Sequence, residues 1–135
     1  MQTLTVPAAK ERLGEVMAFV DDFLEGCGCP MKAQMQIDVA IDELFSNIAL
    51  YAYAPGSGSA TVRVETELDP PAAIITFIDR GVPFDPLSAC TPDVSLPACE
   101  RDAGGLGVFL VKKIMDEVVY AYRDGENIIR IKKRL

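Results

Sequence analysis

The stretch that most limits what this chain can become runs from Met35 to Tyr53, MQIDVAIDELFSNIALYAY. At about 100° per residue, Ile37, Ile41, Leu44, Phe45, Ile48 and Ala52 fall on one apolar face of a helix. Asp38, Asp42 and Ser46 line one flank of that face. Glu43, Asn47 and Tyr51 stack along the other, beside Ala40. A carboxylate and a carboxamide at i and i+4 point the same way from adjacent turns. At the rim of a core, such a pair offers two oxygens to a hard divalent cation and a site for accepting a proton. On this stretch alone, two polar neighbours on a helix edge is the better reading of the pair.

The remaining elements follow from periodicity and punctuation. Gln2–Val6 is extended and ends at Pro7. From Ala8 to about Glu25, Leu13, Val16, Met17, Val20, Phe23 and Leu24 recur at helical spacing. Gly26 to Pro30 breaks that helix, and the central one follows from Met31 to about Ala54, where Pro55-Gly56 stops it. Met31 and Met35 read as core filler. Val62, Val64, Thr66 and Leu68 then alternate with Arg63, Glu65 and Glu67, the pattern of a strand with one wet face. Ala72–Asp79 is almost wholly apolar, as expected of a strand covered on both sides. Gly81–Ala103 has four prolines and no periodicity, which fits a lid or binding loop. Gly104-Gly105-Leu106-Gly107 precedes a helix over about Val108–Asp116. A hairpin closes the chain, with Val118–Arg123 and Ile128–Lys133 turning at Asp124-Gly125. The order β-α-α-β-β-loop-α-β-β, with short turns and grouped helices, predicts an α+β two-layer sandwich: a mostly antiparallel sheet with helices on one face.

Composition narrows the function classes. A chain of 135 residues with half its residues apolar is expected to form a single domain, residues 1–135, with an ample core. No apolar run has the length of a membrane span, and no secretory signal is visible, so the expected location is cytoplasmic. Net charge is −7, and an acidic body argues against direct nucleic-acid binding. Residues 101–135 are the exception, with 8 basic against 5 acidic side chains. Lys132, Lys133 and Arg134 fit a solvated strand edge. The absence of histidine removes Ser-His and Cys-His nucleophile pairs and histidine metal sites. Cys27, Cys29, Cys90 and Cys99 have neither disulfide nor usual zinc spacing.

Three places carry chemistry. The first is Glu43 with Asn47. The second is the end of the apolar strand, where Asp79 could accept a hydrogen bond from an exocyclic amine and Gly81 could let a flat ring approach. Asp79 also fits a simple turn-initiating acid. The third is Gly104, Gly105 and Gly107 at a helix start, where free N–H groups make a ready phosphate site, or else a hinge. The P-loop and G-x-G-x-x-G motifs are absent, so a nucleotide would need a different fold.

Taken together, E-x-x-x-N on a helix (Glu43, Asn47), D-x-G at a strand end (Asp79, Gly81) and G-x-G near a later helix start (Gly105, Gly107) resemble the GHKL ATPase superfamily of Hsp90, DNA gyrase, histidine kinases and MutL. The phrases G-V-P-F-D-P at Gly81–Pro86 and G-G-L-G-x-x-L-V-K at Gly104–Lys112 are most similar to the bacterial anti-sigma factor serine/threonine kinases. The likeness runs from Val6 to Leu135. It implies a Bergerat-type ATP-binding fold with ATP and Mg²⁺ as cofactors. Asn47 would coordinate Mg²⁺, and Glu43 would be the general base. Asp79 would take the adenine amino group, with Gly81 beside the ring. Gly104, Gly105 and Gly107 would line the phosphates under a lid over residues 86–103. The chain departs from the pattern at Tyr51, where many relatives carry histidine, and at Pro83, where larger members carry a small residue. Arg101 fits a solvated loop arginine better than a phosphate ligand.

The implied function is an anti-sigma factor that binds a sigma factor and phosphorylates a serine on an anti-anti-sigma protein of the STAS type, working as a homodimer. A rival is a non-catalytic switch, in which ATP sets partner choice without phosphoryl transfer. A lone ATPase half of a two-component kinase comes last, since it needs a separate phosphoacceptor chain.

Overall fold

The computed structural model describes residues 1–53, 56–83 and 103–135, with 103–107 as backbone. Strand β1 (Gln2–Pro7) leads through a 3₁₀ turn (Lys10–Arg12) into α1 (Leu13–Gly26), and α2 (Met31–Asn47) follows. Strands β2 (Ser59–Leu68) and β3 (Pro71–Asp79), helix α3 (Ala103–Ile114), and strands β4 (Glu117–Arg123) and β5 (Glu126–Arg134) complete the order. The strands form one antiparallel sheet in the order β1-β2-β3-β5-β4. This is the α+β sandwich expected from the element order. At the β4–β5 turn, Asp124 (φ 54°) and Gly125 (φ 78°) are both left-handed, the conformation a two-residue hairpin turn requires.

The core lies between the sheet and the helices. Val16, Val20 and Leu24 of α1 meet Ile37, Ile41, Leu44 and Phe45 of α2 over Val62, Val64, Ile75, Phe77 and Ile131. The expected apolar face of the long helix is therefore the buried one. Its backbone changes pitch, however: after Asn47 the helix widens into a π turn over Ile48–Ala52. Such turns occur frequently at functional sites.

Two expectations need correction. Met31 and Met35 are 72% and 61% exposed; they sit on the side of α2 opposite Ile37, Ile41 and Leu44, so they fill no core. Lys132, Lys133 and Arg134 are not on a sheet edge. Strand β5 is interior, between β3 and β4, because the hairpin pairs its second strand with the apolar one. Lys132 Nζ meets Glu67 Oε1 at 2.8 Å and Lys133 Nζ donates to the Ile114 carbonyl at 2.8 Å. Strand β3 is covered on both faces as expected, with helices on one of them. On the other, Ala72, Ile74 and Thr76 are screened by their cross-strand neighbours Glu67, Glu65 and Arg63 on β2 and Arg134, Lys132 and Arg130 on β5. Aliphatic stems of long charged side chains can cover apolar surface while their ends stay wet.

Helices α1 and α2 also meet through two acids. Asp21 Oδ1 and Asp38 Oδ1 are both buried and lack donors. Burial first, then the hydrogen bond and charge of Asp21, push the Asp38 carboxyl up from 3.8 to about 7. A proton shared by the two carboxyls is expected below that pH. A folded-state pKa above the unfolded value means a contribution fully present below about pH 4 and lost as pH rises through about 7. Asp38→Asn should therefore raise stability at pH 8 by about 1–2 kcal/mol, discounted for the solvent that reaches the pair. It should also flatten the decline between pH 4 and 7, as read by urea denaturation across that range. An unchanged pH profile would rule out the shared proton.

Candidate functional site

A pocket opens where the end of β3 meets the end of α2. It holds about 390 Å³ of non-protein space, its open mouth included, with Leu44, Asn47, Ile48, Tyr51 and Ala52 as one wall. Asp79, Asn127 and Ile129 form the sheet side, and Val82 the rim. The lining is mostly apolar with a few convergent polar groups, the usual build of a small-molecule site.

Asp79 reaches this pocket because odd-numbered residues of β3 face the helices, as Ile75 and Phe77 do. Asp79 is 5% exposed. Oδ1 accepts from the Gly81 N–H at 2.9 Å and from Asn127 Nδ2 at 3.0 Å. Among the described residues no donor reaches Oδ2. A carboxylate oxygen so placed suits a ligand N–H.

Asn127 escaped the sequence reading. It follows the Asp124-Gly125 turn and reads as turn chemistry; only the register, which sets Asn127 opposite Asp79, gives it a role. It is 4% exposed. Beyond Asp79, its Nδ2 donates to the Val82 carbonyl at 2.9 Å, and its Oδ1 accepts from the Tyr120 hydroxyl.

Gly81 is held tightly. A Cβ there would collide with the Ala52 carbonyl and Cβ, while the next residue's N–H donates to the same Ala52 oxygen at 2.9 Å. The lack of a side chain thus lets the exit of β3 dock on the π turn, a packing reason that the expected approach of a flat ring did not include. Tyr53 fastens the same junction: its hydroxyl donates to the Ser59 carbonyl at 2.6 Å and accepts from the Arg80 N–H at 2.7 Å.

Glu43 and Asn47 lie on the last turns of α2. Asn47 lines the pocket, and its side chain makes no hydrogen bond among the described residues. Its free carboxamide oxygen fits a magnesium ion, which commonly takes one or two protein oxygens and completes its shell with water and substrate phosphates. Glu43 is half-buried one turn earlier, outside the pocket lining. Burial, then the charge of Asp42, raises its carboxyl above the ordinary range. A carboxylate so raised is a stronger proton acceptor than an ordinary one.

Helix α3 packs against α2, but it begins at Ala103. Gly104, Gly105 and Gly107 are therefore inside it rather than ahead of it. A helix leaves the N–H groups of its first turn without intrahelical partners, so Gly104 and Gly105 keep a place suited to an anion. Gly107 falls in the second turn. Most of the expected lid over 86–103, Arg101, Cys90 and Cys99 lie outside the described residues. Cys27 and Cys29 are free thiols. Among the described residues no helix is long and apolar enough to cross a membrane.

The chain is similar to known proteins. A family described as "Histidine kinase-like ATPase domain" matches residues 6–133. The serine-protein kinase RsbW of Halalkalibacterium halodurans is 31% identical over 119 residues, covering 85% of this chain and 72% of its own length. RsbW of Listeria innocua is 24% identical over 135 residues, covering 96% and 85%. The serine/threonine-protein kinase BtrW of Bordetella bronchiseptica is 25% identical over 96 residues, covering 71% and 67%. In fold, the histidine kinase domain of a blue-light activated histidine kinase from Erythrobacter litoralis superposes with a TM-score of 0.54 at 17% identity. That match covers 96% of this chain but only 62% of the other. With a buried acid at a strand end, an asparagine across the pocket and a family match over nearly its whole length, the chain belongs to the histidine kinase-like ATPase domain family.

Proposed function

We propose that the chain, as a single domain spanning residues 1–135, binds ATP with Mg²⁺ in this pocket and phosphorylates a serine on an anti-anti-sigma protein of the STAS type. In its other state it binds a sigma factor, working as a cytoplasmic homodimer. The observation that carries the nucleotide reading is the Asp79 carboxylate at the pocket wall, with one oxygen occupied by protein donors and the other left for a ligand N–H. The likeness to serine-protein kinases supports the transfer reading.

Each residue has a stated task. Asp79 takes the adenine amino group, and Gly81 keeps the strand exit docked so that this carboxylate stays in place. Asn47 would hold Mg²⁺, which when bound neutralises phosphate charge. Gly104 and Gly105, with Gly107 behind them, bring the helix start to the phosphates. Glu43 accepts the proton of the attacking serine hydroxyl. Phosphoryl transfer asks for little more than positioning, charge neutralisation and an oriented nucleophile.

The test is nucleotide binding by calorimetry, with and without Mg²⁺. Asp79→Asn should weaken ATP binding at least about tenfold in either condition, since it replaces an acceptor whose loss leaves the ligand amine unpaired. Asn47→Ala should abolish the gain that Mg²⁺ confers while sparing metal-free binding. ATP binding by wild type that neither substitution changes would overturn the pocket assignment.

A further inference from the structure

Resting on the ATP reading above, we propose that Tyr120 and Asn127 are positioning residues that set the pocket's preference for an amino-purine over an oxo-purine. Asn127 spends one side-chain N–H on Asp79 Oδ1 and the other on the Val82 carbonyl, at 3.0 and 2.9 Å. Its carbonyl oxygen takes the Tyr120 hydroxyl hydrogen. Turning the amide over would set its oxygen against a carboxylate and a carbonyl at once, leaving Asp79 with the Gly81 N–H alone and the Val82 carbonyl without the amide donor in a buried site. One orientation is therefore fixed.

That orientation settles what the pocket presents. Asp79 Oδ1 is saturated by Asn127 and by the Gly81 N–H. The two donors hold the carboxylate plane and direct Oδ2 to the ligand as an acceptor. An exocyclic amine at that point completes the set. A ring carbonyl at the same point, as in guanine or hypoxanthine, meets acceptor with acceptor. Sites built around buried polar groups reject a mismatched partner strongly, because those groups are left unpaired. The preference should weaken once the carboxylate is free to rotate. The relay crosses the sheet from edge strand β4 through β5 to β3, with Tyr120 and Asn127 supplied by strands that carry none of the proposed catalytic or metal residues.

The experiment measures dissociation constants for ATP and GTP, on the full chain, for wild type, Tyr120→Phe and Asn127→Ala. Wild type should prefer ATP by about a hundredfold. Tyr120→Phe, which keeps the ring and removes only the hydroxyl, should reduce the preference about threefold to tenfold. Asn127→Ala should reduce it tenfold or more, with far-ultraviolet circular dichroism and melting confirming that each variant is folded. A purely structural role would weaken both nucleotides in parallel. An ATP/GTP ratio unchanged in both variants, while wild type binds ATP, overturns this inference and leaves the ATP reading intact. Wild type that binds neither nucleotide overturns both.

Discussion

Replacing Glu43 with glutamine should lower phosphoryl transfer by about 10³-fold, the middle of the range for losing a general base, while ATP affinity stays within a few-fold. The separation follows from position. Glu43 lies outside the lining of the pocket that holds Asp79 and Asn47, so little binding contact is lost. Glutamine keeps the size and shape of the side chain but cannot take a proton. The same placement makes a pH prediction. Burial and the neighbouring Asp42 raise the Glu43 carboxyl, so the transfer rate should fall as pH drops through that raised value. Asp42→Asn removes the second cause and should shift the acidic limb to lower pH. Labelled ATP with a serine-bearing antagonist protein provides the readout. Transfer undiminished in Glu43→Gln would remove the base assignment, and absence of transfer in wild type alongside ATP binding would favour a nucleotide-responsive switch.

Gly81→Ala should be the most damaging single methyl group in the described part of the chain. The added carbon has nowhere to go, since the atoms it meets include the main-chain carbonyl of Ala52, which no rotamer change can move. Overpacking in a tight site costs about 1–3 kcal/mol, and a backbone obstacle puts this case near the top, a fall in Tm of roughly 10 °C. The functional loss should exceed the stability loss. Separating residue 81 from the π turn strains the Val82-to-Ala52 hydrogen bond and the Gly81 N–H on Asp79, so the carboxylate loses a donor that orients it. ATP binding should drop at least tenfold at temperatures where the variant is still folded. Gly125→Ala is the useful contrast: its φ of 78° makes it strained as well, but it lies at a hairpin tip and should cost stability with little effect on binding. Equal losses of binding in the two variants would show that Gly81 matters only to the fold.

The legible and illegible parts of this protein divide by the range of the interactions that decide them. Periodicity over 35–53 placed the buried face of α2 correctly, because a helix's apolar stripe depends only on neighbours three and four residues away. The pairing of Glu43 with Asn47 came from the same local rule, and the alternation in β2 and the Asp124-Gly125 turn are equally short-ranged. What a local rule could not reach was the partner across the sheet. Asn127 is 48 residues from Asp79, and nothing in E-N-I-I marks it until β5 is paired with β3 in one register. Placing Lys132 on a sheet edge failed for the same reason, since strand order is set by which apolar surfaces meet. The methionines misled because Met31 and Met35 look apolar at any spacing, whereas exposure depends on where α1 and the sheet lie around α2. By itself, the sequence determined the order of the elements and the sandwich, both readable from adjacent turns and alternating residues. Tertiary structure alone decided that Asp79 bonds Asn127, itself bonded to Tyr120, and that Gly81 seats against a π turn, because those contacts exist only once distant strands and the end of a helix are packed together.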